Sequence, residues 1–286
     1  MYPASFDYFA PSTLDEALAL LEQYGDEAKV LAGGQSLIPL MKLRFAAPRV
    51  IVDINGISEL GQLEEEGGLR LGALVRHKAC ERSELLRGRF GTLGAAAPLI
   101  SDPIVRNLGT VGGSLAHADP QGDWGSVMLA MRAEITARGP TGTRTIPIDE
   151  FFQGPFTTAL EPTEILTEVR IADPGARAGG SYHKLERKVG DFATVGVAVH
   201  VSFSNGSVAN AGIALTGVGA MNLRAEAAEQ ALVGQALDEQ AVSAAARLAA
   251  EAARPRTDVR GTEEYKRNVV RVFTERGLRQ AAEVAG

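Results

Sequence analysis

The amino-acid sequence predicts an α+β protein of two domains, and three observations carry that prediction. Short apolar runs that read as strands alternate with helix-period segments through the first 175 residues. One stretch dense in turn residues, Asp173-Pro174-Gly175-Ala176-Arg177-Ala178-Gly179-Gly180, interrupts the pattern and marks a domain boundary. Beyond it, β-rich runs come first and long helical stretches last, strands followed by helices. A chain of 286 residues that is 45% hydrophobic has enough apolar surface for two cores.

Each element follows from local pattern. Ser12-Thr13-Leu14-Asp15-Glu16 opens a helix, with a hydroxyl cap and acidic residues in the first turn. Leu14, Ala17, Leu18 and Leu21 recur at helical spacing for about three turns, and Gly25 ends the helix. Lys29-Val30-Leu31-Ala32 reads as a buried strand running into Gly33-Gly34, and Val50 to Ile54 as a parallel strand, together a small α/β unit. Leu69 to Ala73 is a further strand, Lys78 to Leu86 a helix, and Gly94 to Ile100 a buried helical segment. A turn at Asp102-Pro103 precedes a second glycine loop, and Trp124 to Met131 reads as helix. Glu134 to Ala137 and Glu164 to Ile171 are strands flanking the segment Phe151 to Leu160. In the second domain, Val195 to Phe203 and Val208 to Thr216 form a hairpin around Ser204-Asn205-Gly206-Ser207. Gln230 to Ala253 is helical, and Glu263 to Arg279 is a last helix with Tyr265, Val269, Val272 and Phe273 on one face. No internal repeat or low-complexity tail is present.

Composition removes several function classes. A formal net charge of −6 provides no basic field to draw in nucleic acid. The single cysteine, Cys80, rules out an intramolecular disulfide and an iron–sulfur cluster held by this chain alone. The start, Met1-Tyr2-Pro3-Ala4-Ser5-Phe6, does not read as a signal peptide, and no run approaches the roughly 18 apolar residues of a membrane helix. The expectation is a cytoplasmic protein with no transmembrane segment.

The strongest local signal is strand–Gly33-Gly34. Adjacent glycines let the backbone adopt positive φ and approach a ligand closely, and successive N–H groups in such a turn make an anion-binding concavity. Gln35 and Ser36 add side-chain donors, and with no Lys or Arg in the loop a phosphate there would meet mainly neutral donors. Taken alone, the motif reads as a tight packing turn. Thr110-Val111-Gly112-Gly113-Ser114 repeats the chemistry with two hydroxyls and another glycine pair, so two loops could clamp one diphosphate. Neither loop carries the dinucleotide fingerprint or a Walker pattern, and in Gly217-Val218-Gly219-Ala220 the third glycine is replaced by Asn222.

Other clusters read as structural. His117-Ala118-Asp119 with Asp123 suggests a metal site, but none of the four histidines shows a second ligand pattern. A Ser114–His117–Asp123 hydrolase triad lacks the nucleophile elbow. Arg187-Lys188 with Asp191 reads as a solvated charge run, and Lys184 by itself as a surface lysine. No metal and no catalytic residue is expected within the chain.

In order and spacing, certain segments together resemble the FAD-binding medium subunit of the molybdenum hydroxylases, especially the aerobic carbon monoxide dehydrogenase type; xanthine dehydrogenase contains the same flavin domain. The segments are Leu31-Ala32-Gly33-Gly34-Gln35-Ser36-Leu37, Arg106 through Thr110-Val111-Gly112-Gly113-Ser114, Ala116-His117-Ala118-Asp119-Pro120, and Phe151-Phe152-Gln153-Gly154 leading to Glu164-Ile165-Leu166. The likeness runs from Phe6-Asp7-Tyr8 to the final helix. It implies an FAD-binding domain over residues 1–175, in parts of about 1–57 and 58–175, and a flavoprotein C-terminal domain over 176–286. It further implies that Leu31 to Leu37 and Thr110 to Ser114 embrace the diphosphate and ribityl chain of non-covalent FAD. His117 lies close to the cofactor region, Asp123 binds the ribityl or ring region, Ile100 and Leu166 flank the ring, Lys184 lies nearby, and Phe192 stands near the flavin edge. The partners implied are a small subunit with [2Fe-2S] clusters and a large molybdopterin subunit, in a dimer of heterotrimers. The implied role is to relay electrons from those clusters to an external acceptor. A flavin-free assembly subunit and a stand-alone flavin oxidoreductase are the alternatives. The chain departs from many carbon monoxide dehydrogenase relatives at Gln35, where they have His, and near Trp124, where they have Pro; neither change removes a backbone donor.

Overall fold

The computed structural model describes residues 2–286, and Met1 lies outside the described residues. The first part is a small α/β unit. Strand β1 (Asp7–Phe9), helix α1 (Leu14–Tyr24), strand β2 (Ala28–Leu31), helix α2 (Leu37–Lys42) and strand β3 (Val50–Asp53) follow in order. The strands form a parallel sheet in the order β1-β3-β2. Thr13 Oγ1 accepts the N–H of Glu16, and Glu16 reaches back to the N–H of Ser12, so α1 starts on a capping box. Leu14, Ala17, Leu18 and Leu21 are buried against Val50, Val52 and Ile54. Strand β1 was absent from the sequence expectation: three residues carry too little period, and only pairing with β3 makes them a strand.

The second part surrounds the largest core. Its strands and helices are β4 (Leu63–Glu65), β5 (Gly68–Gly72), α3 (His77–Arg82), α4 (Glu84–Gly88), α5 (Gly91–Ala96), α6 (Pro103–Leu108), α7 (Val111–His117), α8 (Asp123–Ala130), β6 (Glu134–Gly139), β7 (Gly142–Pro147), α9 (Ile148–Phe151), β8 (Phe152–Gly154), β9 (Thr157–Thr158) and β10 (Ile165–Ala172). An antiparallel sheet, β4-β5-β10-β6-β7, turns Leu69, Leu71, Ile135, Ala137, Leu166, Val169 and Ile171 inward. A register shift between Leu166 and Glu168 lets Leu166 and Val169 face the same side although they are three residues apart. The expected helix from Lys78 to Leu86 is two helices, because Ser83 leaves the helical conformation and its hydroxyl caps α4 at the N–H of Leu86. The segment from Gly94 to Ile100 is likewise the end of α5 followed by a 3₁₀ turn over Ala97–Leu99.

The third part comprises β11 (Ala178–Leu185), β12 (Val195–Ser204), β13 (Ser207–Thr216), β14 (Leu223–Arg224), α10 (Glu226–Leu232), α11 (Glu239–Ala252) and α12 (Glu263–Ala285). The strands form an antiparallel sheet in sequential order, with Asn205 and Gly206 at positive φ in the β12–β13 turn. Val195, Val197, Val199 and Val201 pack toward the C-terminal helices while Ala198, Ala214 and Tyr182 join the central core. A sheet covered on both faces explains the nearly continuous apolar run of β12.

Three expectations are corrected here. Gly179 and Gly180, read as turn, lie inside β11: an added Cβ would strike Ala281 O at Gly179 and Thr92 at Gly180, so they are glycines of close approach between β11 and its flanking helices. The helical stretch from Gln230 to Ala253 breaks between Val233 and Asp238, where Gly234 has φ +81° and Asp238 caps α11. The last helix runs on to Ala285, and its buried stripe is Lys266, Val269, Val270, Thr274, Gly277, Leu278 and Ala281, with Phe273 packed beside it, whereas Tyr265 faces out. Lys266 is admitted to that stripe because its ammonium donates to Asp258 Oδ1 and Arg256 O.

Candidate cofactor site

The first glycine segment is the turn between β2 and α2. Gly34 has φ +71°, a conformation costly for any residue with a Cβ. Gly33 is close-packed: a Cβ there would lie 2.5 Å from Leu108 O and 2.7 Å from Gly109 Cα. Gln35 folds back, its Nε2 donating to Gly33 O at 3.1 Å. The backbone N–H groups of Gly33, Gly34, Gln35 and Ser36 have no acceptor among the described residues. Leu31 and Leu37 flank the turn half-buried.

The second segment differs from the loop expected. Thr110 is an N-cap, its Oγ1 accepting Gly113 N–H at 3.1 Å, and Val111 to Ser114 form the first turn of α7. Its backbone donors are occupied: Val111 N–H goes to Val75 O, Gly112 N–H to Ala73 O and Ser114 N–H to Thr110 O. Gly112 is required by close approach, since a Cβ would meet the Cα and Cβ of Ala73 within 2.7 Å. Gly113 is more open; a Cβ would meet Thr110 Oγ1 at 2.7 Å and Ala32 Cβ at 3.6 Å. Thus Ala32 and Gly33 lie directly against the Leu108–Gly113 corner, and the structure brings the two segments together.

Polar side chains tie this junction. Asn55 Nδ2 donates to Ala32 O at 2.7 Å, and Arg76 Nη2 donates to Asn55 Oδ1 at 2.6 Å. Arg76 Nη1 donates to Leu108 O. Burial draws the Arg76 pKa below its usual value, with the Asp53 charge opposing. Beneath the corner, His77 N–H donates to Gly109 O at 3.0 Å, and the His77 ring leaves no room for a Cβ at Gly109. Trp124 Nε1 donates to His77 Nδ1 at 3.0 Å, which fixes His77 as the neutral acceptor. Burial, aided by the Arg106 and Arg76 charges, draws the His77 pKa down to about 4.

A second cluster joins α8 to β11. Asp123 is buried and accepts from Tyr182 Oη at 2.6 Å and Lys184 Nζ at 2.9 Å. Lys184 also donates to Leu99 O at 2.9 Å and lies 3.6 Å from Glu186 Oε2, its side chain 2% exposed. Burial pushes the Asp123 carboxyl above the usual carboxylate range, against the pull of Lys184 and Tyr182. Lys184, a surface lysine by pattern, is therefore an interior one, and Ile100 is buried next to its acceptor Leu99. At the end of α7, the His117 ring lies 5.2 Å from that of Phe156, and Phe156 N–H donates to Ala118 O. Burial lowers the His117 pKa. Leu166 is buried in the central core, and Phe192 is half exposed with its carbonyl bound by Arg260.

Sequence reading missed Asn55, Arg76, Tyr182 and Phe156. Each acts across a long sequence separation; the one available signal was the place of Phe156 in the segment from Phe151 to Leu160. A cleft of about 500 Å³ on the β5–β10–β6 sheet includes neither glycine segment, and its arginines Arg70, Arg138 and Arg170 are already paired with carboxylates. Cys80 is buried, its thiol pushed up to about 12, which suits packing rather than redox chemistry.

FAD fits this junction on structural grounds. A diphosphate calls for converging neutral donors beside a wall without side chains, and the free N–H groups of Gly33 to Ser36 next to the Gly113 surface provide both.

Residues 4–174 match the family described as FAD binding domain in molybdopterin dehydrogenase, and residues 180–281 the CO dehydrogenase flavoprotein C-terminal domain. The chain is 42% identical over 282 residues to the carbon monoxide dehydrogenase medium chain of Hydrogenophaga pseudoflava, covering 98% of each. A solved carbon monoxide dehydrogenase from that organism, lacking the Mo-pyranopterin moiety of its molybdenum cofactor, superposes with TM-score 0.96 at 44% identity over 100% of both chains. Quinoline 2-oxidoreductase from Pseudomonas putida 86 superposes with TM-score 0.92 at 32% identity, covering 100% of this chain and 99% of its own. The chain therefore belongs to the family of FAD-binding medium subunits of the molybdenum hydroxylases and is an oxidoreductase subunit.

Proposed function

We propose that this chain holds FAD at the junction of its two glycine segments and serves as the electron outlet of a three-subunit molybdenum hydroxylase. The observation that carries the reading is the contact of Gly33 with Leu108 and Gly109, beside four backbone N–H groups with no acceptor among the described residues. The N–H groups of Gly33, Gly34, Gln35 and Ser36 bind the diphosphate, and Gly113 lets it approach α7. Thr110 and Ser114 line the second side, with Leu31, Ala32, Leu37, Val111 and Gly112 as the walls. Asp123, oriented by Tyr182 and Lys184, and the apolar Ile100 and Leu166 shape the region toward the ring, with His117 at the end of α7. When bound, FAD supplies a centre that takes up electrons and passes them on.

The electrons come from [2Fe-2S] clusters of a small partner subunit, and the substrate is oxidised on a large molybdopterin subunit, in a cytoplasmic dimer of heterotrimers. Single-cysteine composition supports this division of labour, because the chain cannot carry a cluster itself. Among the described residues no helix is long and apolar enough to cross a membrane. The domain division falls at residues 175/176, with the first domain parted near residue 57. Relatives that act on carbon monoxide and on quinoline share this subunit fold, so the chain does not determine the substrate.

The test is the spectrum of the purified chain after incubation with FAD. Bands at roughly 370 and 450 nm that survive gel filtration are expected. Their absence overturns the reading. Gly113→Val should release the cofactor; undiminished retention excludes α7 as the second wall.

A further inference from the structure

Two segments some 80 residues apart can act on one cofactor only if something fixes their relative position. The contact at Gly33 is packing; the directional link is made by side chains. Asn55 Nδ2 holds Ala32 O at 2.7 Å on the first segment. Arg76 Nη1 holds Leu108 O on the second, and Arg76 Nη2 closes the chain on Asn55 Oδ1 at 2.6 Å. Arg76 itself sits opposite Thr110 in an antiparallel bridge, so its backbone position is set by the second segment.

Arg76 also lacks a direct ion pair. Other half-buried or buried arginines meet carboxylates: Arg70 with Glu168, Arg106 with Glu81, Arg224 with Glu229. Among the described residues Arg76 has no ion-pair partner; both its acceptors are neutral, and Asp53 is bound by Tyr8 and Asn55. A partly buried cation whose counter-charge, Asp53, acts on it without forming an ion pair is better satisfied when a further anion arrives. Neither Leu31–Leu37 nor Thr110–Ser114 contains Lys or Arg, so a diphosphate there has no other cation within the segments.

We propose that Arg76 staples the two glycine segments through Asn55 and Leu108 and offsets the charge of the FAD diphosphate; it is a positioning residue that also tunes the field. The inference rests on the reading that these segments hold FAD. It accounts for how a cradle of neutral donors retains a dianion.

The test is FAD affinity of the full-length chain, read by quenching of flavin fluorescence, at about 50 and 500 mM salt, a range over which the screening length falls several-fold. In the wild type, affinity falls with salt. Arg76→Met weakens binding about 30- to 100-fold at low salt, the loss of charge-assisted hydrogen bonds, and removes most of the salt dependence. Arg76→Lys, which keeps the charge without the fork, weakens it about tenfold and stays salt-dependent. Asn55→Ala weakens it about tenfold with the wild-type salt dependence. A purely structural arginine would lower thermal stability and leave the salt dependence unchanged. The proposal is overturned if folded Arg76→Met binds FAD within about threefold of wild type, or shares its salt dependence. If Arg76→Met does not fold, wild-type affinity that is indifferent to salt overturns it as well. A wild type that takes up no FAD sinks the underlying reading, a result distinct from either.

Discussion

The two glycine pairs look alike in the sequence and differ in the structure. Gly33-Gly34 is a true turn with a left-handed residue and free N–H donors. Gly112-Gly113 is the start of a helix whose N–H groups are already bonded to Ala73, Thr110 and, through Val111, to Val75. The first pair donates; the second makes room. A glycine pair therefore signals close approach of backbone, and only the neighbouring hydrogen bonds tell whether it also supplies donors.

The largest effects should come from alanine at Gly33 and Gly112, where the added Cβ meets backbone that cannot rotate away. Gly33→Ala pushes the segments apart and should lower FAD affinity by about 100-fold or more, with a stability loss near the upper end of overpacking, about 3 kcal/mol. Gly112→Ala should lower the unfolding midpoint by roughly 5–10 °C through the α7–Ala73 contact. Calorimetry and FAD titration on both variants check this. Wild-type FAD affinity in Gly33→Ala would break the comparison, because contact between the pairs would then be irrelevant to binding.

The same contrast explains what was legible beforehand. Helix α1 and the Asn205-Gly206 hairpin were readable because their stabilising contacts are local: a capping box, an i to i+4 stripe, a two-residue turn. Gly112-Gly113 was read as loop because two glycines depress helix propensity, although Thr110 stood in the N-cap position. Gly179-Gly180 was read as turn for the same reason, although what selects glycine there is the nearness of α12 and α5. The glycine segments of the proposed site were visible as a motif. Its supports were not: Asn55, Arg76 and Tyr182 belong to it only through contacts made by folding, and an isolated Asn, Arg or Tyr carries no local signature.

Acid should act on the second segment and spare the first. His77 lies beneath Gly109 with its pKa drawn down to about 4, whereas Asn55 and Arg76, which hold the first segment, carry no proton that moves in acid. The unfolded chain binds a proton as pH falls through about 6.5 while folded His77 stays neutral until about 4, so stability is full above 6.5 and declines by about 3 kcal/mol across that window. His200, also drawn down to about 4 by burial, adds its own contribution. Urea midpoints at pH 7, 5.5 and 4.5 for His77→Gln and His200→Gln separate the two; an unchanged slope in His77→Gln would show that His77 is not held neutral. Removing its donor is milder. Trp124→Phe leaves Nδ1 of buried His77 without a partner and should cost about 2 kcal/mol. Thermal unfolding measures it, and a loss below about 0.5 kcal/mol would mean that the pair does not support the corner.

The smallest stability effect should still carry a functional one. Gly34→Ala places a Cβ at φ +71°, costing about 1–2 kcal/mol, since the nearby Ile38 methyl can move. Gly113→Ala meets only Thr110 Oγ1 within 3 Å, and that hydroxyl can rotate. Rotation weakens the N-cap by about 1 kcal/mol, while alanine in place of a helical glycine returns about 0.5–1 kcal/mol, so folding should be nearly neutral. The methyl nonetheless projects beside Ala32, into the gap that the diphosphate is proposed to enter. Gly113→Ala should therefore unfold at the wild-type temperature and bind FAD about tenfold more weakly. A variant that is equally stable and equally tight would return the second pair to plain helix packing, leaving the first pair to hold the cofactor by itself.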